Sequence, residues 1–549
     1  MKALTKIAIL VFSIALTGCA TYGAGLDRAI NQIKMGDYAA GEKSIQAALK
    51  PTGNDRLLYH LELAIVKHLE GDFTRSNQLL EQAERIAEDL ETKQVTDTLV
   101  VMMSNPRKGP YAGADFEHIY INYFKAMNYF ALAEQAKSTS QYLTALDGAR
   151  VESRRLIMRL NEINDRQGNY SASDNESKTF RSLLKIFDTL LRGNLIDLES
   201  LKYRDDAMAH YLTGLSFEMN REYDNARISY QKAATSYELG YAEQYLLGKE
   251  IIEQAWFDTI RMMRNAGNYR RESGRLANQK LSSSKRAELE EWTKDSAQLV
   301  VIEHKGLMPQ RKEMNLVLSL NQDLHAIQLR PLLNLDDDPA LAWFYLLYAD
   351  KGIAGALTAF MDAKNYGVFS YGFTKTVPLG PLWHNAESLG LIDAMSPALR
   401  VAVPYYEPMK ALPDSYLKAG NKTLPLIKSS NPGLVAIQEQ MVSASVHINQ
   451  ALSRSALKAI TAQQLENVDE NYGALFALAG KIAMQFTDAA ETRNWLLLPQ
   501  DIRLQRVILE PGTHDVKLSS DFAGNKKHQH KSIELAAGDI HLWQVRTLP

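Results

Sequence analysis

One cysteine, Cys19, stands among 549 residues. A lone thiol excludes an intramolecular disulfide, so its use is chemical, intermolecular or incidental. No segment approaches the roughly 18 consecutive apolar residues that a membrane-spanning helix needs. An excess of charge of either sign is also missing, with 62 Lys and Arg facing 64 Asp and Glu. Without the first eighteen residues the balance is 60 (62 minus Lys2 and Lys6) to 64, a net charge of −4. That balance calls for no nucleic acid, and no acidic tail suggests a solvating segment. With 46% hydrophobic residues the chain has apolar content for real cores, and its length fits roughly three domains.

What surrounds the thiol is informative. Lys2 and Lys6 precede an apolar or small run of ten residues, Ile7 to Leu16, the pattern of a secretory leader and too short to cross about 30 Å of hydrocarbon. Leu16-Thr17-Gly18-Cys19 follows and resembles the lipobox of bacterial lipoproteins. The resemblance implies a diacylglyceryl group on the Cys19 sulfur, cleavage before it, and acylation of the new amino terminus. Ala20 in place of Asp implies sorting to the outer membrane, facing the periplasm. Several acyl chains, each buried methylene contributing about 0.8 kcal/mol, hold a protein on a membrane stably. Residues 1–18 are then a signal peptide and 19–25 a lipidated linker, with the covalent lipid the only expected non-protein group.

Residues 26–296 are expected to be helical and repetitive. "MGDYAAGEKSIQAAL" from Met35 matches "EGDFTRSNQLLEQAE" from Glu70: Gly36, Tyr38 and Ala48 align with Gly71, Phe73 and Ala83 at an offset of 35 residues. A period near 34 signals stacked helix hairpins. Residues 209–240, "AHYLTGLSFEMNREYDNARISYQKAATSYELG", resemble a tetratricopeptide repeat, with Gly214 and Phe217 on the first helix and Tyr223, Ala226, Tyr230 and Ala233 at second-helix spacings. In such repeats small residues let helices approach and aromatics fill the gaps, so these twelve residues are expected to serve packing. Residues 116–156 read as an atypical copy, "MSNPRKGPYAGADF" as a break, and the charged stretch up to Ser296 as a connector or last repeat.

A mixed α+β half is expected after that, over 297–500, with a small β module at 501–549. "AQLVVIEHKGLMP" and "EMNLVLSL" read as strands around a Gly-Leu-Met-Pro turn, 341–363 as an apolar helical stretch, and "ALRVAVPYY" as a buried strand with Pro404 at an end or edge. Helices follow around 448–464 and 472–486. The tail resembles the small β-sandwich modules of envelope proteins, with hairpins turning at Pro511-Gly512 and Ala537-Gly538.

Chemical motifs are weak throughout, and no catalytic or metal-binding residue is expected. Ser455-Ala-Leu-Lys458 matches a Ser-x-x-Lys pattern, but the Lys-Thr-Gly strand of penicillin-binding enzymes is missing. His528 and His530 are two imidazoles without a third ligand, flanked by Lys527 and Lys531, so an exposed polar turn is the expectation. Asp336 to Asp338 lack the glycine and distant glutamate of a calcium loop, and Asp338 is better read as capping a helix begun by Pro339. Gly352 and Gly355 do not have phosphate-loop spacing. The aromatic run from Tyr120 to Phe130 reads as core. The expected function is therefore a lipid-anchored scaffold whose repeats bind an envelope protein, in the class of assembly factors, adaptors or activators of peptidoglycan synthases. The rivals are a glycan-binding protein or hydrolase using Trp383, His384 and Glu387, and a component of a secretion or polysaccharide export machine.

Overall fold

The computed structural model describes residues 21–94, 107, 109–166, 206–293, 295–332, 340, 343–344, 374–395, 398–407, 409–466, 489–522 and 525–549. Cys19, Asp336 to Pro339, Gly352, Gly355, most of the stretch 341–363 and the helix expected at 472–486 lie outside the described residues.

Apolar residues at helical spacing build the first half as hairpins. They are α1 (Thr21–Lys34) with α2 (Tyr38–Ala48), α3 (Arg56–Glu70) with α4 (Phe73–Gln94), α5 (Asp115–Glu134) with α6 (Thr139–Arg166), α7 (Ala207–Met219) with α8 (Tyr223–Ser236), and α9 (Lys249–Ala266) with α10 (Arg270–Lys280), followed by α11 (Ser283–Glu291). Each of α1 to α9 packs against the next of these helices, and α11 packs on α9. Helix α1 reaches into the stretch expected to be linker. Its buried residues Leu26, Ala29 and Ile33 recur at helical spacing and dock it on α2.

Four of the hairpins turn in one way. Gly36, Gly71 and Gly267 adopt φ of 82°, 84° and 83°, and Arg221 takes the same place at 61°. Each is followed by a polar residue and then an aromatic: Asp37-Tyr38, Asp72-Phe73, Asn268-Tyr269 and Glu222-Tyr223. Asp37 and Asp72 accept the backbone N–H groups of Ala40 and Arg75 at 3.0 Å, closing the next helix. The region expected as a connector or last repeat thus holds a further hairpin of the same kind.

The second half has β1 (Ala297–Lys305), β2 (Arg311–Asn321), β3 (Ala326–Pro331), β4 (Lys375–Pro378), short helices α12 (Leu382–Ser388) and α13 (Leu391–Ala394), β5 (Leu399–Tyr406), β6 (Ser415–Ala419), β7 (Lys422–Pro425), β8 (Ile427–Ser430), the long α14 (Pro432–Glu466), and β9 (Asp501–Leu509), β10 (Gly512–Phe522), β11 (Asn525–Leu535) and β12 (Ile540–Thr547). They form three sheets, ordered β12-β1-β9-β8, β11-β10-β6-β7 and β4-β3-β2-β5. In the first, β1 runs parallel to β12 and antiparallel to β9.

That first sheet is a middle layer. Val300, Ile302, Ile502, Leu504 and Leu542 enter the core shared with the helices. Their neighbours Leu299, Val301, Val507, Trp543 and Val545 enter a second core against Leu417, Val516, Leu518 and Ile533 of the other sheet. Alternate residues thus meet different partners, which explains why all of β1 is buried.

Several expected local pairings do not form. β1 and β2 belong to different sheets, as do β9 and β10, and β11 and β12. The chain therefore changes sheets at Pro511-Gly512 and at Ala537-Gly538. Gly512, at φ 138°, provides a backbone conformation that L-residues rarely adopt. His528 and His530 lie on strand β11, not in a turn, and both are exposed. Pro404 is on β5, an edge strand, where its missing N–H breaks no ladder.

Candidate functional site

The residues expected to pack the repeats divide into two groups. Gly214 lies beneath the Tyr230 ring, where an added Cβ would stand 2.7 Å from a ring carbon. Ala83, Ala226, Tyr230 and Ala233 are fully buried, and Phe217 nearly so. Tyr38, Ala48 and Tyr223 are partly buried against the same core, and Phe73 meets the His68 ring edge-on at 5.4 Å. Gly36 and Gly71 differ. A Cβ on either would meet nothing within 4 Å, so these two supply the left-handed turn and not close approach. Gly148, which the sequence reading passed over, makes a second close approach, 2.6 Å from the Tyr129 ring.

The first helices of three hairpins pack on strands of the chain's own second half. α5 packs on β12, and α7 and α9 on β8. Residues 495–497 are held by carboxylates: Glu117 accepts the N–H of Trp495 at 2.8 Å, and Glu62 accepts those of Leu496 and Leu497 at 2.7 and 3.1 Å. Burial pushes the Glu62 carboxyl up to about 8, against the effect of those two N–H donors. On β9, Arg506 reaches Glu218 at 2.9 Å and the Tyr230 hydroxyl at 2.9 Å. Arg261 binds Glu218 and Asp258, at 2.5 and 3.0 Å. Burial alone would raise the Glu218 and Asp258 carboxyls, yet the two guanidiniums hold both below the ordinary range.

A cavity of about 380 Å³ opens on another side, between α4, α5 and α6. Glu81, Glu84, Arg85 and Glu88 come from α4, His118, Ile121 and Asn122 from α5, and Arg155, Met158, Arg159 and Glu162 from α6. Below it, Lys125, 3% exposed, reaches Glu81 and Glu84 at 2.7 Å and Glu152 at 3.1 Å. Burial pulls the Lys125 ammonium down, but Glu152 and Glu84 overcome this and leave it raised. The hydrogen bond from Lys125 keeps Glu81 below its usual value. Asn122 spans Glu84 and Glu152 at 2.8 and 3.1 Å. Arg85, Arg155 and Met158 at the mouth are 74%, 48% and 62% exposed. The groove therefore has a fixed ionic floor with mobile-length charged arms above it, suited to recognising polar and charged groups. Its described lining includes no serine, threonine or cysteine.

Compared with models of known protein families, with curated proteins and with solved structures, the chain matches none.

At one end of the groove Glu91, Asp115 and His118 bring three possible metal-binding atoms within 4.8 Å of one another. His118 Nε2 is bonded to the Ala112 carbonyl at 2.8 Å, leaving Nδ1 3.0 Å from Glu91. Arg159 Nη2 stands 2.8 Å from the same Glu91 oxygen and 3.4 Å from Nδ1. The Arg159 guanidinium supplies the positive charge beside Glu91 and His118.

Ser455 donates to the Arg400 carbonyl at 3.2 Å. Trp383 stacks on His325 at 4.7 Å, which takes one face of the ring, and His384 and Glu387 are exposed side by side at 3.6 Å. Tyr120, Tyr123, Phe124 and Phe130 are core. A serine-lysine pair occurs elsewhere: Lys305 Nζ is 3.0 Å from Ser415 Oγ, and burial pushes the lysine down to about 8. Ser415 also donates to Glu303 at 3.0 Å. Both residues of the pair are 0% exposed, so this pair ties two sheets together out of reach of solvent. Arg506 carried one legible sign, a charge inside the apolar run "LQRVIL". Its partners, hundreds of residues away, carried none.

Proposed function

We propose that this protein is a lipid-anchored scaffold of the bacterial outer membrane, facing the periplasm, whose tetratricopeptide-like hairpins dock an envelope protein. The reading takes Cys19 as the acylated residue and places docking in the groove between α4, α5 and α6. The observation that carries it is that groove: about 380 Å³, lined by charges of both signs, among hairpins whose first helices also pack on the chain's own sheet. Shape and scattered polar contacts are how stacked helix pairs hold their partners. The activity is binding, and assistance to peptidoglycan synthesis or envelope assembly is the class of task it suits.

In-cell crosslinking of the tagged protein, followed by mass spectrometry, tests the reading. The wild type is expected to recover a specific envelope protein, and Cys19→Ala and the pair Arg85→Glu/Arg155→Glu to lose it. Undiminished recovery by the groove variant moves docking elsewhere. Recovery of nothing beyond abundant membrane proteins sinks the scaffold reading and turns attention to glycan binding by the second half.

A further inference from the structure

The first helix leaves almost no slack behind the proposed lipid site. The described part of α1 reaches back to Thr21, two residues after Cys19. Two extended steps reach at most about 7 Å, and the helical steps from Thr21 to Leu26 add roughly 7.5 Å. From Leu26 onward the helix is fixed to the body. Leu26, Ala29 and Ile33 are buried. Gly41 makes room for Ile33, whose side chain a Cβ there would approach to 2.6 Å. Asp27 accepts a hydrogen bond from Gln310 Nε2 at 2.7 Å, which ties α1 to the turn before β2.

We infer that acylated Cys19 seats this end of the fold, α1 and the turn leading into β2, directly on the lipid headgroups. The inference rests on the proposed lipidation and goes beyond it, because acylation alone sets neither distance nor orientation. A flexible linker of twenty residues would let the body roam about 25 Å from its anchor, whereas here the packed helix takes up the chain. The seated surface is polar, as a headgroup layer requires. Arg28 is exposed on α1, Lys312 pairs with Glu407, and the Glu407 N–H donates to the Gln310 carbonyl at 3.0 Å.

The test uses the full lipidated protein in vesicles of phosphatidylethanolamine and phosphatidylglycerol carrying a headgroup-attached nitroxide quencher. Acylation occupies Cys19, so an introduced cysteine is the free thiol to label. Fluorophores on Arg28→Cys and Lys312→Cys are expected to be quenched several-fold more than one on Arg271→Cys, on α10 in the last hairpin. Inserting a twenty-residue Gly-Ser segment between Cys19 and Thr21 is expected to erase that difference. Intact mass spectrometry of each sample separates the two ways to fail. Acylated protein with equal quenching at all three positions overturns the seating while leaving the lipidation reading in place. Protein that carries no lipid overturns both.

Discussion

Arg221 pays for its position in backbone strain. At φ 61° it occupies the turn site that glycine fills at positions 36, 71 and 267, and an L-residue in that region costs about 1–2 kcal/mol. Arg221→Gly is therefore expected to stabilise the fold, by roughly 0.5–1 kcal/mol once the greater freedom of the unfolded glycine chain is subtracted. Urea denaturation measures this, and a destabilised variant would refute it. Gly214 presents the opposite case. Gly214→Ala drives a methyl to within 2.7 Å of the Tyr230 ring, an overpacking expected to cost about 1–3 kcal/mol. An unchanged urea midpoint would show that the ring yields freely. The sequence made the second residue legible and hid the first, because Arg-Glu-Tyr shares only its tyrosine with Gly-Asp-Tyr although its backbone makes the same turn.

Among elements, β9 does the most joining. One face feeds the core against the second sheet, and the other carries Arg506 to Glu218 and Asp258 on α7 and α9. Those two carboxylates and two guanidiniums balance, and all are buried. Arg506→Met leaves one guanidinium for two buried acids, so a loss of about 3–5 kcal/mol is expected, the usual consequence of breaking a buried pair from one side. A loss under about 1 kcal/mol in equilibrium unfolding would mean that the acids neutralise or rehydrate instead. This element also shows where sequence reading stops. Alternation marked β9 and β10 as strands, and the Pro-Gly between them looked like a hairpin turn. Local pattern tells that the chain reverses, but not whether the next strand pairs with its predecessor or crosses to another layer. The apolar run Leu299 to Ile302 of β1 carried the missing information, since a strand apolar on both faces needs a layer on each side. The groove was less legible still, because its charges come from three helices and each alone reads as a solvated face.

For the whole molecule, the junction between halves depends on a carboxyl whose protonation differs between folded and unfolded chains. Glu62 sits on α3 and holds the N–H groups of Leu496 and Leu497, and burial pushes it up to about 8 from an ordinary value of 4.5. Between those values the folded protein binds a proton that the unfolded chain has released. Stability from this group is therefore fully present below pH 4.5 and is lost progressively as pH rises towards 8. Glu439 moves in the same direction, also to about 8, so the slope of the wild type alone does not isolate Glu62. Comparing Glu62→Gln with wild type does, since glutamine keeps an acceptor oxygen and does not titrate. The variant is expected to lose stability against wild type at pH 5 and to recover ground, or overtake it, at pH 8. Urea unfolding at the two pH values measures that difference of differences. A constant gap would mean that Glu62 stays ionised in the fold, with the Leu496 and Leu497 N–H donors outweighing its burial.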